Sequence, residues 1–320
     1  MPHTIVVRET GGAEVLRFEP AEVGEPGRGQ ARVAVTAVGV NFIDVYFRTG
    51  LYPRPLPYVA GLEGAGVVEA VGPDVALRPG ERVAWASAPG SYATHVVAPA
   101  AQLVRVPEAV ALDVAAASML QGMTAHYLVH GCRTTQAGDV ALVHAAAGGV
   151  GLLLIQLLVE AGATVIGTCS SPEKEKLSRE AGAAHVLGYD AFADEARRLT
   201  DGRGCDVVYD SVGQTTFDGS LRSLRPRGLL VLFGQSSGPV PPFDLGRLNA
   251  LGSLFATRPS LAHYTASPRE LELRAGAVLG AAAAGRLHVR IGARFALSEA
   301  AEAHRALEGR RTTGKVLLVP

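Results

Sequence analysis

The fold of the central part of the chain is decided by one stretch, Asp139-Val140-Ala141-Leu142-Val143-His144-Ala145-Ala146-Ala147-Gly148-Gly149-Val150-Gly151. Its beginning, Asp139–His144, is an apolar run of strand length, and the run Val150–Ala161 has the length of a helix. The glycines between these runs permit a tight turn and a close approach of the backbone to a ligand. A strand, a glycine-rich turn and a helix in this order are typical of the first unit of a Rossmann fold, where the helix N-terminus binds a dinucleotide pyrophosphate.

The turn departs from the strict G-x-G-x-x-G pattern, because Ala146 stands where the first glycine is expected. Taken alone, the turn would also fit another α/β fold. The sequence that follows favours dinucleotide binding, because strand-like and helix-like runs continue to alternate, which implies a doubly wound parallel sheet covered by helices on both faces. We expect further strands at Ala163–Thr168, His185–Leu187, Asp206–Asp210, Gly228–Phe233 and Gly252–Thr257, and a helix at Pro172–Ala181 with Ser171 as its N-cap.

Residues 1–120 have a different pattern, rich in Val, Gly and Pro. Short β-like runs such as Ala31–Val38 and Gly64–Gly72 are separated by turn residues, which predicts an irregular β-barrel. A helix is expected from Leu112 toward Leu120. The C-terminal tail predicts a helix, a strand, a second helix and a last strand at Lys315–Val319.

Composition and charge exclude several classes of protein. The 320 residues are 48% hydrophobic and 19% charged, which suits two folded domains rather than a disordered chain. Thirty basic and thirty acidic residues give no electrostatic reason to expect nucleic acid or an anionic membrane as the main partner. The apolar run Val140–Val159 approaches the length of a membrane span, but Gly148, Gly149 and Gly151 interrupt it, so no span is expected.

The cysteines and the N-terminus predict a cytoplasmic location. The chain has three widely spaced cysteines, Cys132, Cys169 and Cys205, and no C-x-x-C motif. This pattern argues against a disulfide scaffold or a thiolate zinc cluster and suits reduced thiols. The N-terminus lacks the long apolar segment of a signal peptide.

The end of the second Rossmann strand indicates which dinucleotide is bound. NAD-binding folds usually place an Asp or Glu there to bind the ribose 2′-hydroxyl. Here the strand ends in Gly167-Thr168-Cys169-Ser170-Ser171, and Lys174 follows one turn later. Hydroxyls and an ammonium suit a 2′-phosphate, so we expect NADPH rather than NADH. The alternative for Lys174 is a solvated helix lysine, because Glu173 and Glu175 flank it.

Eight segments spread along nearly the whole chain carry a family resemblance: Asn41–Tyr46, Arg48–Pro53, Gly61–Val68, Pro79–Val83, His144–Gly151, Val208–Gly213, Phe233–Ser237 and Thr313–Val316. They resemble the medium-chain dehydrogenase/reductase superfamily, and especially its NADPH:quinone oxidoreductase (zeta-crystallin-like) family. The resemblance implies a discontinuous GroES-like substrate domain, 1–121 with 262–320, and a Rossmann domain at 122–261.

The same resemblance argues against zinc chemistry. Zinc alcohol dehydrogenases of the superfamily have a Cys and a His where this chain has Asn41 and Leu62, and residues 86–110 contain no Cys for a structural zinc. With these ligands missing, we expect no metal and no zinc-bound alkoxide. The expected reaction is reduction of a quinone, which needs a slot, hydrogen bonds to the quinone oxygens and close contact with the nicotinamide.

The resemblance also suggests individual site residues. Asn41, Tyr46 and Tyr52 are expected to face the substrate, with Asn41 donating to a carbonyl, and the alternative for the tyrosines is ordinary packing. Asp44 is expected to orient this loop. Of Arg311 and Lys315, one is expected to reach the cofactor phosphate, without a choice between them. The cofactor-binding set is Thr124, Gly148, Gly149, Val150, Gly151, Ser170, Ser171, Lys174, Tyr189, Ser211, Phe233, Gly234, Gln235, Ser236, Arg311 and Lys315.

Three functions remain open at this point. The first is an NADPH-dependent quinone reductase, by one-electron or hydride transfer. The second is a reductase of carbon–carbon double bonds conjugated to a carbonyl, in which Tyr46 or Tyr52 would deliver a proton. The third is a dinucleotide-binding protein with little catalysis, crystallin-like or RNA-associated, which the neutral charge does not favour. The apolar edge strand expected at Gly252–Thr257 predicts a homodimer, as the superfamily implies.

Overall fold

The computed structural model describes all residues from Met1 to Pro320. The chain forms two compact units, unit 1 (Met1–Met123 with Thr265–Pro320) and unit 2 (Thr124–Tyr264). The domain limits expected from the sequence, 1–121 with 262–320 and 122–261, are close to these borders and stay a prediction.

Sixteen strands follow one another along the chain. They are β1 (His3–Val7), β2 (Leu16–Pro20), β3 (Gln30–Val40), β4 (Tyr58–Val59), β5 (Glu63–Val71), β6 (Arg82–Trp85), β7 (His95–Pro99), β8 (Val104–Arg105), β9 (Val140–Val143), β10 (Thr164–Thr168), β11 (His185–Leu187), β12 (Cys205–Asp210), β13 (Leu224–Leu232), β14 (Phe255–Thr257), β15 (Ile291–Ala296) and β16 (Lys315–Val319).

Ten α-helices accompany the strands, together with three short 3₁₀ turns and one π-helical turn at Leu128–Cys132. The helices are α1 (Phe42–Arg48), α2 (Leu112–Tyr127), α3 (Gly149–Glu160), α4 (Pro172–Glu180), α5 (Phe192–Arg198), α6 (Phe217–Ser223), α7 (Gly246–Ala250), α8 (Leu261–Tyr264), α9 (Pro268–Ala283) and α10 (Ala300–Glu308). None of them combines the length and the apolar character that crossing a membrane requires.

Unit 1 contains the irregular β-structure expected from its short runs. A seven-stranded sheet has the order β15-β16-β3-β5-β6-β8, with β7 paired to β3, and a smaller sheet has the order β2-β1-β4. The long strand β3 pairs with β5, β7 and β16, and its pairing with β5 shifts register twice. Such irregularities bend a strand and let one sheet curl around a core, here formed by Trp85, Tyr92 and many valines.

Unit 2 contains the predicted parallel sheet. Its six strands lie in the order β11-β10-β9-β12-β13-β14, and all five pairings are parallel. Every residue of β12 is buried, which explains why its sequence shows no alternation of polar and apolar residues. The apolar run that approached membrane-span length consists of β9, the glycine turn and α3.

Local structure differs from the sequence-based expectation at the segment that follows β3. We expected Asn41–Tyr46 to form a loop, but residues Phe42–Arg48 form helix α1. Asn41 is its N-cap: its backbone N–H donates to the Asp44 carboxylate at 2.9 Å, and its carbonyl oxygen accepts from the backbone N–H of Asp44 at 3.0 Å. Asp44 therefore orients this segment as a helix cap. The short helices α5 and α6 were also missed.

Candidate active site

The glycine turn of unit 2 is shaped to bring backbone groups close to a ligand. Gly148 is the N-cap of α3, and no side chain caps this helix. A Cβ atom on Gly151 would lie 2.5 Å from the carbonyl oxygen of Ala145 and 2.6 Å from that of Ala146, so only glycine fits. The N–H groups of Gly149, Val150 and Gly151 belong to the first helical turn, which has no intrahelical acceptors for them. They form a site that suits the pyrophosphate of a dinucleotide.

The structure brings Ser170, Ser171 and Lys174 together beyond the end of β10. Ser171 caps α4 as expected, and its Oγ accepts a hydrogen bond from the backbone N–H of Lys174 at 3.3 Å. The Nζ atom of Lys174 donates to Ser170 Oγ at 3.5 Å. An ammonium group and two hydroxyls thus occupy the place where NAD-binding folds present a carboxylate. This Ser170–Lys174 corner has the chemistry that a 2′-phosphate requires.

Other predicted cofactor residues lie on nearby strand ends of unit 2. The Tyr189 hydroxyl accepts a hydrogen bond from the backbone N–H of Ala145 at 3.2 Å, so this side chain contacts the glycine turn. The loops that follow β12 and β13 pack closely, since a Cβ on Gly234 would lie 2.6 Å from the Ser211 carbonyl oxygen. Phe233, Gln235 and Ser236 are half-buried beside Gly234, and Thr124 is buried in α2.

Tyr46 and Tyr52, the expected substrate-facing tyrosines, are neighbours in unit 1. Their ring centroids are 5.2 Å apart in an edge-to-face arrangement. The backbone N–H of Tyr52 donates to the carbonyl oxygen of Tyr46 at 3.0 Å. Tyr46 is buried and Tyr52 half-buried. Tyr46 on helix α1 and Tyr52, which follows this helix, therefore form an aromatic pair that suits a planar substrate.

Asn41 requires a correction. We expected its amide to donate to a substrate carbonyl, but the side chain is only 4% exposed. Its Nδ2 donates to Glu63 at 2.7 Å and to the carbonyl oxygen of Gly39 at 3.3 Å, which uses both amide protons. Its Oδ1 accepts from Lys315 at 2.8 Å and from Gln121 at 3.3 Å. The Asn41 amide thus has no proton left to donate, so the prediction that it donates directly to a substrate carbonyl is wrong. Asn41 instead links the buried charged groups of Glu63 and Lys315.

Lys315 also requires a correction. Its side chain is 1% exposed and forms an ion pair with Glu63, which is fully buried. Burial lowers the pKa of the Lys315 ammonium, and the Glu63 carboxylate opposes that effect. Glu63 further accepts from the backbone N–H of Leu120 at 2.6 Å. The ammonium is thus committed inside unit 1 and cannot reach a cofactor phosphate, whereas Arg311 is exposed.

A second group of buried polar side chains in unit 1 escaped the sequence analysis. The Tyr92 hydroxyl lies 3.0 Å from Asp44 Oδ2 and 3.0 Å from His304 Nε2. Arg48 donates two hydrogen bonds to Glu308 and lies 3.4 Å from His304 Nδ1. Burial raises the pKa of Asp44 to about 7, and burial together with Arg48 lowers the pKa of His304 to about 3. No local signal could have found this cluster, because long stretches of chain separate its members.

No three or more His, Cys, Asp or Glu side chains are grouped so that they could hold a metal ion. Leu62 directly precedes Glu63 at the start of β5 and offers no ligand atom. The absence of a metal from the reaction stays a prediction.

Comparisons with known proteins agree with this architecture. Residues 27–108 match the family of alcohol dehydrogenase GroES-like domains, and residues 149–266 match the zinc-binding dehydrogenase family. A quinone oxidoreductase of Pseudomonas aeruginosa is 46% identical over 97% of both chains. A 2-haloacrylate reductase of Burkholderia sp is 42% identical over 98% of both chains. A mycobacterial protein solved in complex with NADPH is 49% identical, with a TM-score of 0.97 and complete coverage of both chains.

Proposed function

Because the chain belongs to the quinone oxidoreductases of the medium-chain dehydrogenase/reductase superfamily, we propose that it is an NADPH-dependent quinone reductase that works without a metal ion. The observation that carries this proposal is the pair of sites in unit 2, a glycine turn at the N-terminus of α3 and the Ser170–Lys174 corner beyond β10. One site suits a pyrophosphate and the other an additional phosphate.

The cofactor is NADPH, whose nicotinamide supplies the reducing equivalents. The N–H groups of the first α3 turn bind the pyrophosphate, and Ser170, Ser171 and Lys174 bind the 2′-phosphate. Tyr189 supports the glycine turn through its hydrogen bond with Ala145. The remaining cofactor contacts come from the loops after β12 and β13, because ligands of open α/β sheets bind beyond the carboxyl ends of the strands.

The acceptor is an electron-poor planar molecule, and a quinone fits the residues best. Tyr46 and Tyr52 offer flat surfaces, and their hydroxyls are donors for the quinone oxygens. Asn41 acts indirectly, because its amide is held by Glu63 and Lys315. It begins helix α1 and so sets the position of Tyr46. The protein needs to supply little acid–base catalysis, because the quinone becomes aromatic on reduction and this stabilises its reduced oxygens.

A second candidate function is reduction of a carbon–carbon double bond conjugated to a carbonyl. It is favoured by the similarity to the 2-haloacrylate reductase, which extends over almost the whole chain. This reaction needs delivery of a proton to carbon, for which the phenol of Tyr46 or Tyr52 is the available donor.

Parallel turnover measurements distinguish the two functions. The purified protein is given NADPH with 1,2-naphthoquinone, with a 2-alkenal and with 2-chloroacrylate, and NADPH oxidation is followed by the loss of absorbance of the reduced nicotinamide. We expect kcat/KM to be highest with the quinone. A large preference for the alkenal or the haloacrylate would replace the first function by the second. Binding of NADPH without turnover of any acceptor would favour a protein that only binds the dinucleotide.

The metal requirement is tested separately. Metal analysis of the active protein is expected to find less than one zinc ion per chain, and a chelator is expected to leave turnover unchanged. One tightly bound zinc ion per chain, lost together with activity, would contradict the metal-free reaction.

A homodimer formed through β14 is part of the proposal. This strand ends the parallel sheet, and its Phe255 is 61% exposed. An uncovered apolar edge strand is usually protected by pairing. Light scattering at assay concentration is expected to give twice the mass of one chain, and the mass of a single chain would refute the dimer. The cytoplasmic location stays a prediction, which fractionation of cells can test.

A further inference from the structure

A row of buried polar side chains crosses three neighbouring strands of unit 2 at their carboxyl ends. Val143 of β9 is in register with Gly167 of β10 and with Tyr209 of β12. The residues that come next on these chains are therefore level with one another, and they are His144, Thr168 and Asp210. All three side chains are buried.

Hydrogen bonds join this row to helix α6. His144 Nδ1 lies 2.8 Å from the Thr168 hydroxyl, and His144 Nε2 lies 3.0 Å from the Ser220 hydroxyl. Ser220 in turn donates to Asp210 Oδ2 at 2.7 Å. We call the set Thr168, His144, Ser220 and Asp210 the His144 chain.

The proton positions in the His144 chain follow from its ends. The Ser220 hydroxyl has one proton, and it donates this proton in a hydrogen bond to the Asp210 carboxylate. Toward His144 Nε2 the Ser220 oxygen must therefore be the acceptor. His144 is then the neutral tautomer with its proton on Nε2, and Nδ1 accepts from Thr168. Burial lowers the pKa of His144, which keeps the ring neutral, although the Asp210 carboxylate acts in the opposite direction.

The polar row is unexpected on grounds of stability alone. Two residues earlier on the same strands, and on the same face of the sheet, the level row is Leu142, Ile166 and Val208, all in one apolar core. Continuing that apolar row would bury hydrocarbon, whereas buried polar groups cost free energy unless each is hydrogen-bonded. Thr168, His144 and Asp210 occupy the one end of the sheet where ligands bind in such folds.

Each member of the row lies within two residues of the start of one of the loops assigned to the cofactor. His144 precedes the glycine turn, and Thr168 precedes the Ser170–Lys174 corner. Asp210 precedes Ser211, and its Oδ1 accepts from the backbone N–H groups of Val212 at 2.8 Å and Gly213 at 3.0 Å. The His144 chain thus links the starting points of three loops through side chains that a ligand need not touch.

We propose that the His144 chain is a positioning device for the dinucleotide, in which His144, Thr168 and Ser220 hold the three loops in one binding geometry. This inference rests on the proposed function and extends it to residues outside the contact set. A loop displaced by a fraction of an ångström no longer presents its N–H groups to the phosphates, so the device acts on affinity. It leaves the reacting groups unchanged, so turnover at saturating NADPH is preserved.

The test measures the dissociation constant of NADPH by fluorescence titration in the wild type, Thr168→Val, Ser220→Ala and the double variant. We expect each single variant to bind NADPH about tenfold more weakly, as loss of one buried hydrogen bond allows. Because both substitutions act through His144, the double variant should lose less than the product of the two single losses. The kcat value at saturating NADPH should stay within about twofold of the wild type, since transition-state contacts are retained.

Matched controls separate positioning from general destabilisation. Ser223→Ala removes another buried hydroxyl of α6, which donates to the Gly219 carbonyl and not to the His144 chain. It should lower the melting temperature without changing NADPH binding. Thr168→Ser keeps the hydroxyl and should bind NADPH as the wild type does, even if its packing is poorer. Binding of 2′,5′-ADP reports the adenosine end alone and should weaken most in Thr168→Val.

The outcomes are distinct. Unchanged NADPH binding in Thr168→Val and Ser220→Ala, or equal weakening in Ser223→Ala, overturns the inference while the wild type still binds and turns over. Fully multiplicative losses in the double variant also overturn it, because the two residues would then act independently. A wild-type protein that does not bind NADPH overturns the proposed function, and the inference with it.

Discussion

Substitution of Lys174 tests the preference for NADPH most directly. The Nζ atom of Lys174 lies 3.5 Å from Ser170 Oγ, at the corner assigned to the 2′-phosphate. Its backbone N–H caps onto Ser171 Oγ, a bond that the variant Lys174→Ala keeps. The substitution therefore removes the ammonium group and leaves the start of helix α4 in place.

The size of the effect follows from the exposure of the corner. Hydrogen bonds to charged groups contribute about 1.5–3 kcal/mol, but Lys174 is half-buried and Ser170 exposed, so solvent screens part of this. We expect a loss of about 1–2 kcal/mol, which corresponds to a rise in KM for NADPH of about 5- to 30-fold. NADH lacks the 2′-phosphate, so its KM should change by less than about twofold. The reversal Lys174→Glu should penalise NADPH further.

The assay is steady-state turnover with 1,2-naphthoquinone, with KM measured for both dinucleotides at low and high salt. Lys176→Ala is the matched control, because Lys176 lies on the same helix, is 78% exposed and reaches only Glu180 at 3.9 Å. An equal rise of KM for NADPH and NADH in Lys174→Ala, or an effect as large in Lys176→Ala, would refute the reasoning. So would wild-type KM values that are alike for the two dinucleotides.

Three further predictions concern unit 1. Glu63→Gln leaves the Lys315 ammonium buried without a counter-charge and should lower the free energy of unfolding in urea by about 3–5 kcal/mol. The double variant Glu63→Gln/Lys315→Met should recover part of this stability, and an unchanged urea midpoint in Glu63→Gln would contradict the ion pair. The pKa of Asp44 is raised from 3.8 to about 7, so the folded state binds its proton more tightly than the unfolded chain and stability should fall as pH rises from about 4 to 7. Asp44→Asn should flatten this decline. An equal slope of stability against pH in the wild type and in Asp44→Asn would contradict the raised pKa of Asp44. Tyr52→Phe should lower kcat/KM for the quinone about fivefold, because it removes one neutral hydrogen bond, and should leave KM for NADPH unchanged. If only Tyr46→Phe shows this loss, the contact with the quinone belongs to Tyr46.

Unit 2 could be predicted well from local patterns. Its central strands β9, β10 and β12 are almost entirely buried and read as largely apolar runs, and its glycine turn and the Ser171 cap act over a few neighbouring residues. The predicted strand His185–Leu187 agrees with the structure residue for residue. The short helices α5 and α6 escaped because a run of seven residues is too short to show a helical period.

What the sequence determined by itself was the alternation of strands with the longer helices in unit 2, and the chemistry of the Ser170–Lys174 corner, since both depend on residues close together in the chain. Only the tertiary structure decided the partners of buried charges. Lys315 begins a strand near the C-terminus and looks like a solvent-exposed or phosphate-binding lysine, until the pairing of β16 with β3 brings it to Asn41 and Glu63. Burial and ion pairing depend on contacts between segments that are hundreds of residues apart, and no local pattern encodes them.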